Sequence, residues 1–324
     1  MHPLLHSQLG QRVIAIHVRD VTWGVGAREL ISNVGFDVAS GMLFGIAGAV
    51  GAGKTSLLEL LHGKRRPWQG TIEVLGLDPE SCHSELAAQI DHLQPTTIPE
   101  RGETAAQFML RYVKERSGAN SQIGAAIEAA IDELALQNVL CREMASLTPG
   151  YRRRVELAAR IAGRPEVLLI DELSIRVDAE SRKRLWETVI ASARRGTTCV
   201  CSLHHQEDAL RCDRIAYLFR GQLLKLGSPE DLISAGCPQG SRWLAATCDH
   251  VRRARRLLWK LPGVQAVSAH GREIRVLIDN RVTGAQLRAR LSSAAIELKG
   301  IHSAVPTLHE ALAVQTTTLV PGPD

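Results

Sequence analysis

Apolar and polar residues alternate along the start of the chain. Over "RVIAIHVRDVTW" and "VGFDVASGMLFGIAG" the period is two, the mark of half-buried strands, and Gly-containing turns separate the runs. Residues 12–44 therefore read as short strands. At residues 55–62 the period lengthens to that of a helix, which Gly63 is placed to stop. "GTIEVLGLD" (70–78) returns to strand. From about residue 100 to 146 the pattern is helical, with Ile123, Ile127 and Ile131 recurring every four residues between Ala and Glu. "EVLLIDE" (166–172) is a short apolar run of the kind buried on both faces of a parallel sheet. A helix over about 180–194, the strand "TTCVCSL", a helix through Ala209 and the strand pair "RIAYLFRGQLLKLG" follow. Strand and helix in alternation predict a doubly wound α/β core with a helical insertion at about 95–150.

After Gly236 the pattern restarts. "DHVRRARRLLWKL" reads as helix, "GVQAVSA" and "EIRVLID" as strands, "TGAQLRARLSS" as helix, "IELKGIHSAV" as strand and "TLHEALAV" as a short helix. This predicts two domains, residues 1–235 and a small α+β domain over 236–324, with "QTTTLVPGPD" as a loose tail. At 324 residues, 45% hydrophobic and 23% charged, the composition is that of a globular chain able to bury a core. The N-terminus lacks a cationic start followed by an apolar block, and no apolar run approaches the ~20 residues that cross a bilayer. Seven scattered cysteines, none in a C-x-x-C pair, read as small apolar residues of a reduced cytosolic protein; Cys199 and Cys201 alternate within one strand. The net charge of +5 is too mild to demand nucleic acid.

Chemistry enters at "GIAGAVGAGKTSLLELLHG". Gly48-Ala49-Val50-Gly51-Ala52-Gly53-Lys54-Thr55 fits G-x-x-x-x-G-K-[ST] between a strand and a helix, and Ser56 follows. Such a loop turns successive backbone N–H groups inward beside a helix N-terminus, which suits a polyphosphate. Lys54 reaches the β- and γ-phosphates, and Thr55 places a hydroxyl on Mg²⁺. The complementary acid closes the apolar run "VLLID": Asp171 is the metal-side carboxylate, and Glu172 next to it is placed to orient the attacking water.

With these residues in hand the chain resembles the ATP-binding subunits of ABC transporters. "LTPGYRRRVELAARIAGRPEVLLIDEL" (147–173) resembles their signature, its helix and the Walker B strand. "SIRVDAESRKRLW" resembles the D-loop, with Asp178 as its acid. "SLHHQEDALRCDRIAYLFRGQLLKLGSPEDL" resembles the switch-histidine region, with His204 as the switch, and "IDHLQP" the Q-loop, with Gln94 as a further magnesium-side residue. "PTLHEALAV" is similar to the C-terminal extension of daunorubicin-resistance-type export ATPases. The resemblance implies a P-loop NTPase core with an antiparallel β subdomain. It implies that ATP and Mg²⁺ lie between the phosphate loop of one subunit and Thr148, Pro149, Gly150 and Tyr151 of a second, homomeric or heteromeric. It also implies a cytoplasmic location at the inner face of the membrane, on a membrane-spanning permease, with no nucleic acid partner. Glu172, His204 and Lys54 are then the catalytic residues.

Three positions depart from the family pattern. The adenine-stacking aromatic is replaced by Val25, with Trp23 two residues away as a substitute. The usual Ser-Gly-Gly is Thr148-Pro149-Gly150, and proline lacks an N–H. Leu173 stands where proline follows the catalytic glutamate. Hydrolysis is therefore expected to be slow. Arg152, Arg153 and Arg154 begin a helix, where the macrodipole disfavours cations, so they are expected either to face a partner's ATP or acidic patch or to point into water. "RRARR" (252–256) reads as a solvated helix face. The alternatives are a weakly active regulatory half of a heteromeric pair, a soluble ABC ATPase acting on DNA or ribosomes, and a small-molecule P-loop kinase.

Overall fold

The computed structural model describes residues 13–95, 97–117 and 123–317. The N-terminal stretch and the last seven residues of the predicted tail lie outside them. The chain divides into two units, at Leu226/Gly227.

In the first unit, β1 (Ile14–Val25) and β2 (Arg28–Ala39) form an antiparallel hairpin. β3 (Leu43–Gly48) leads into α1 (Lys54–Leu61), and β4 (Gln69–Val74) returns to pair with β1. The predicted strand over 70–78 stops early because Leu75 and Gly76 take left-handed turn conformations. α2 (His83–Leu86) and β5 (Ile90–Leu93) precede the helical insertion, α3 (Ala105–Ser117) and α4 (Ile123–Glu133). On α4 it is Ala126 and Ala130 that are buried, while the isoleucine stripe is half-buried. α5 (Pro149–Ala162), β6 (Val167–Ile170), α6 (Ala179–Arg194), β7 (Thr198–Ser202), α7 (Gln206–Ala209), β8 (Arg214–Phe219) and β9 (Gln222–Gly227) complete the unit.

Six strands form one sheet in the order β5-β6-β7-β3-β8-β9, parallel from β5 to β8. β6 and β7 are buried at every position because both sheet faces are covered, which is why they read as unbroken apolar runs. Cys199 and Cys201 fill β7 as small apolar residues. The three-stranded sheet β2-β1-β4 shares an apolar cluster with α1 and the central strands, built on Ile16, Phe36, Phe44, Leu57 and Val200 among others.

The second unit holds α8 (Pro229–Ser234), β10 (Ser241–Thr247), α9 (Val251–Trp259), β11 (Val264–His270), β12 (Glu273–Asp279), α10 (Gly284–Ser292), β13 (Lys299–Ala304) and α11 (Leu308–Thr317). Its sheet order, β11-β12-β10-β13, makes a split β-α-β-β-α-β unit. α9 and α10 pack Ala254, Leu258, Leu287 and Leu291 on Leu244, Ile274, Val276 and Ile278. The central strand β10 is absent from the sequence reading: Trp243, Leu244, Ala245 and Ala246 are all buried, so no alternation betrays it. The unit starts before 236 because α8 packs on α11. The arginines of α9 are exposed, as a solvated face requires.

Candidate functional site

The loop between β3 and α1 runs through conformations that side chains resist. Gly48 has φ 151°, and a Cβ there would lie 2.3 Å from the Leu218 carbonyl oxygen. Gly53, at φ 99°, caps α1 in the left-handed region. The loop thereby delivers Lys54 and Thr55 at the first turn of a helix, whose free N–H groups and dipole favour an anion. Lys54 is 5% exposed, and its ammonium donates to the carbonyls of Gly48 (2.8 Å) and Ala49 (3.0 Å). Burial lowers its pKa, against the pull of Asp171 and Glu172.

A cavity of about 360 Å³ opens over this loop, lined by Val50, Gly51, Gly53, Lys54, Thr55, Ser56, Glu172 and His204, together with Arg28 and Leu30. The structure thus brings the phosphate loop, the acid and the histidine together. Val25 is 58% exposed at the end of β1 and is not among the lining residues. Trp23 cannot replace it: the indole is 6% exposed and covered by the Arg65 guanidinium, 4.8 Å from the ring centroid. No Phe, Tyr or Trp lines the cavity among the described residues.

β6 ends by projecting Asp171 into the interior, fully buried. One carboxylate oxygen accepts from the Ser202 hydroxyl at 2.5 Å, and the other, Oδ2, has no hydrogen-bond partner. A buried anionic oxygen left bare is costly unless a cation meets it. With the Thr55 hydroxyl at the head of α1, the donor set is the hard-oxygen kind that Mg²⁺ takes. Glu172 has φ 54°, an uncommon conformation for a side-chain-bearing residue. Its Oε1 lies 3.6 Å from His204 Nε2. Burial first, then Lys54, lowers the His204 pKa, against the pull of Glu172 and Asp171.

Gln94 is exposed, and its contribution is its backbone: the Gln94 carbonyl accepts from Arg153 at 2.5 Å. Arg153 also donates to the carbonyls of Asp171, Glu172 (3.2 Å) and Leu173 (3.4 Å) and pairs with Glu156 at 3.1 Å. This corrects the expectation for the arginine run. Arg153 and Arg154 are buried, Arg152 donates to Met144 and Ala145, and Arg154 donates to Leu134 and stacks 4.0 Å over Tyr151. The cations at the helix start donate to carbonyls of their own chain, and Arg153 also pairs with Glu156.

Thr148 caps α5, its hydroxyl accepting from Tyr151 N–H at 3.5 Å, with Pro149 in the first turn, where a missing N–H breaks no helical bond. Thr148 and Pro149 are exposed, whereas Gly150 is buried against Asp178 and Ser181. Asp178 caps α6, accepting from Ser181 N–H at 2.8 Å, a bond that lowers its pKa. The sequence reading missed Ser202, Arg28 and Asp208. The buried Asp208 accepts from Ser174 at 3.1 Å and Arg182 at 2.9 Å, tying α7 to α6. Ser202 left one signal, a polar residue in a buried strand.

A family described as "ABC transporter" matches residues 31–174. The chain is 29% identical over 232 residues to a Nod factor export ATP-binding protein I of Rhizobium meliloti (strain 1021), covering 69% of this chain and 68% of that one. It is 30% identical over 236 residues to the protein of that name in Burkholderia orbicola (strain AU 1054), covering 69% and 75%. Among solved structures, an ATP-binding subunit of an ABC transporter superposes with TM-score 0.63 at 20% identity, over 68% of this chain and 92% of that chain. A dimeric ATP-binding cassette bound to ADP and Pi gives 0.57 at 20% identity, over 66% and 98%. The loop, the acid pair and the histidine sit in an ABC ATPase fold, and with relatives at this identity and coverage the chain belongs to the ABC transporter family.

Proposed function

We propose that this chain is the ATP-binding and ATP-hydrolysing subunit of an exporter, working as a dimer on a membrane-spanning permease at the cytoplasmic face. The observation that carries it is the meeting of Lys54, Thr55, Glu172 and His204 around one cavity. The export function of the named relatives supports the direction of transport, and among the described residues no helix is long and apolar enough to cross a membrane. Residues 48–56 hold the triphosphate. Thr55 and the bare oxygen of Asp171, with Gln94 nearby in the family arrangement, would hold Mg²⁺, which supplies charge neutralisation at the phosphates. Glu172 orients the attacking water and takes its proton, and His204, beside it, donates an N–H to the γ-phosphate. Thr148, Pro149, Gly150 and Tyr151 form the segment turned to the ATP of the second subunit, and Asp178 sets the neighbouring helix. Purified protein with Mg-ATP is expected to release phosphate, and Glu172→Gln to bind ATP without release; equal rates for the two would overturn the reading.

Slow turnover belongs to the same proposal. Pro149 brings no N–H to the partner's γ-phosphate, a charge-assisted bond worth about 1.5–3 kcal/mol, and among the described residues no aromatic side chain lines the cavity. These departures also favour a second reading, a regulatory half of a mixed pair. Co-purification from membranes decides between them: one permease with two copies of this chain supports the first, and a distinct second ATPase supports the other. The second unit, 227–324, is proposed as a separate domain, and nucleic acid is not expected as a partner.

A further inference from the structure

β7 occupies a particular place. It is the strand between β3, which feeds the phosphate loop, and β6, which ends in the acid pair. Ile170 is in register with Cys201, so the next residues along the two strands, Asp171 and Ser202, stand side by side. Ser202 is 3% exposed, and its hydroxyl makes two bonds of different sense. It donates to Asp171 Oδ1 at 2.5 Å and accepts from the Glu172 N–H at 2.9 Å.

Each bond fixes something the reaction needs. The first occupies one oxygen of Asp171 and leaves the other without a hydrogen-bond partner. The second grips the peptide of a residue held at φ 54°, a conformation that persists only when its surroundings impose it. Two residues further along the same chain, His204 lies 3.6 Å from the Glu172 carboxylate. One strand end thus holds the backbone of Glu172 through Ser202 and brings His204 beside its carboxylate.

We propose that Ser202 is a positioning residue for the ATPase reaction: its single hydroxyl locks the metal-side carboxylate and the water-orienting glutamate in one fixed relation. This rests on the ATPase reading above. A hydroxyl can serve both neighbours because it donates once and accepts at its lone pairs, which neither alanine nor a thiol can match. Outer-shell partners of this kind set metal affinity by roughly 10- to 100-fold.

The test uses the full chain as wild type, Ser202→Ala, Ser202→Cys and Ser202→Thr. ATP affinity is measured by calorimetry in chelator. Mn²⁺ affinity of the ATP complex is measured by electron paramagnetic resonance, and phosphate release is followed alongside. Ser202→Ala and Ser202→Cys are expected to bind ATP in chelator like wild type. Their Mn²⁺ affinity and turnover are expected to fall roughly 10- to 100-fold. Ser202→Thr, which keeps the hydroxyl, restores both. Wild-type Mn²⁺ affinity in the Ala and Cys variants would overturn the proposal, as would a Thr variant as defective as Ala. Ser202→Cys keeps the side-chain shape and carries the test if Ser202→Ala does not fold. Failure of the ATPase reading itself shows in the wild-type protein, as an absence of Mg-ATP binding.

Discussion

A Cβ on Gly150 would fall 2.3 Å from Asp178 Oδ2 and 2.4 Å from Ser181 Oγ. The start of the signature helix is therefore packed directly on the cap of α6. Gly150→Ala should displace that cap and cost about 1–3 kcal/mol by overpacking, read as a lower urea midpoint; an unchanged midpoint would show that α6 yields freely. Arg28 is the lining residue best suited to replace an aromatic, because a planar guanidinium stacks on a base face. Arg28→Ala should weaken ATP binding by about 0.5–2 kcal/mol while leaving triphosphate binding intact. Equal affinity for ATP in variant and wild type would remove Arg28 from the base side.

At the scale of elements, Arg153 joins α5 to the end of β6 and the segment after β5. It satisfies carbonyls of Gln94, Asp171, Glu172 and Leu173 and neutralises Glu156. Removing one partner of such a buried set leaves the others unpaired, so Arg153→Met should cost about 3–5 kcal/mol. Arg153→Met with Glu156→Leu should recover part of it, and urea denaturation of both variants decides. A second joint lies between α1, α2 and β5, where His62 sits 5.4 Å from His92 and 5.8 Å from His83, ring to ring. Burial, then Lys64 for His62 and His62 for His92, lowers their pKa values from 6.5 to about 4 and about 3. The sign follows from the direction: between 6.5 and those values the unfolded chain binds the protons, so stability is full above pH 6.5 and is lost as pH falls. Each imidazole contributes a slope of up to about 1.4 kcal/mol per pH unit. His92→Phe should flatten the fall in stability between pH 6.5 and 4; an equally steep profile would assign the acid sensitivity elsewhere.

At the scale of the whole molecule, each unit carries its own apolar cluster: one around α1 and the central sheet, the other between α9, α10 and the sheet β11-β12-β10-β13. Separate cores predict that residues 1–226 fold alone and bind ATP with unchanged affinity. A loss of more than about tenfold, near 1.4 kcal/mol, in calorimetry would mean that the second unit supports the site. In the second unit the interior of β10, Trp243 to Ala246, is buried at every position, which explains why a sequence pattern found β11, β12 and β13 but not β10.

The phosphate loop and the acid pair could be proposed from short contiguous stretches, a loop and a strand end, whereas His204 was assigned only through the family resemblance. The alternation of buried strands and helices gave the α/β class for the same reason, since periodicity is local. What only the tertiary structure decided are contacts between distant positions: Ser202 with Asp171, 31 residues apart, and Arg153 with the Gln94 carbonyl, 59 apart. Trp23, read as a base-stacking substitute, lies under Arg65 instead. A carbonyl accepts whatever side chain its residue carries, and a buried strand shows no alternation, so neither kind of contact leaves a mark along the chain.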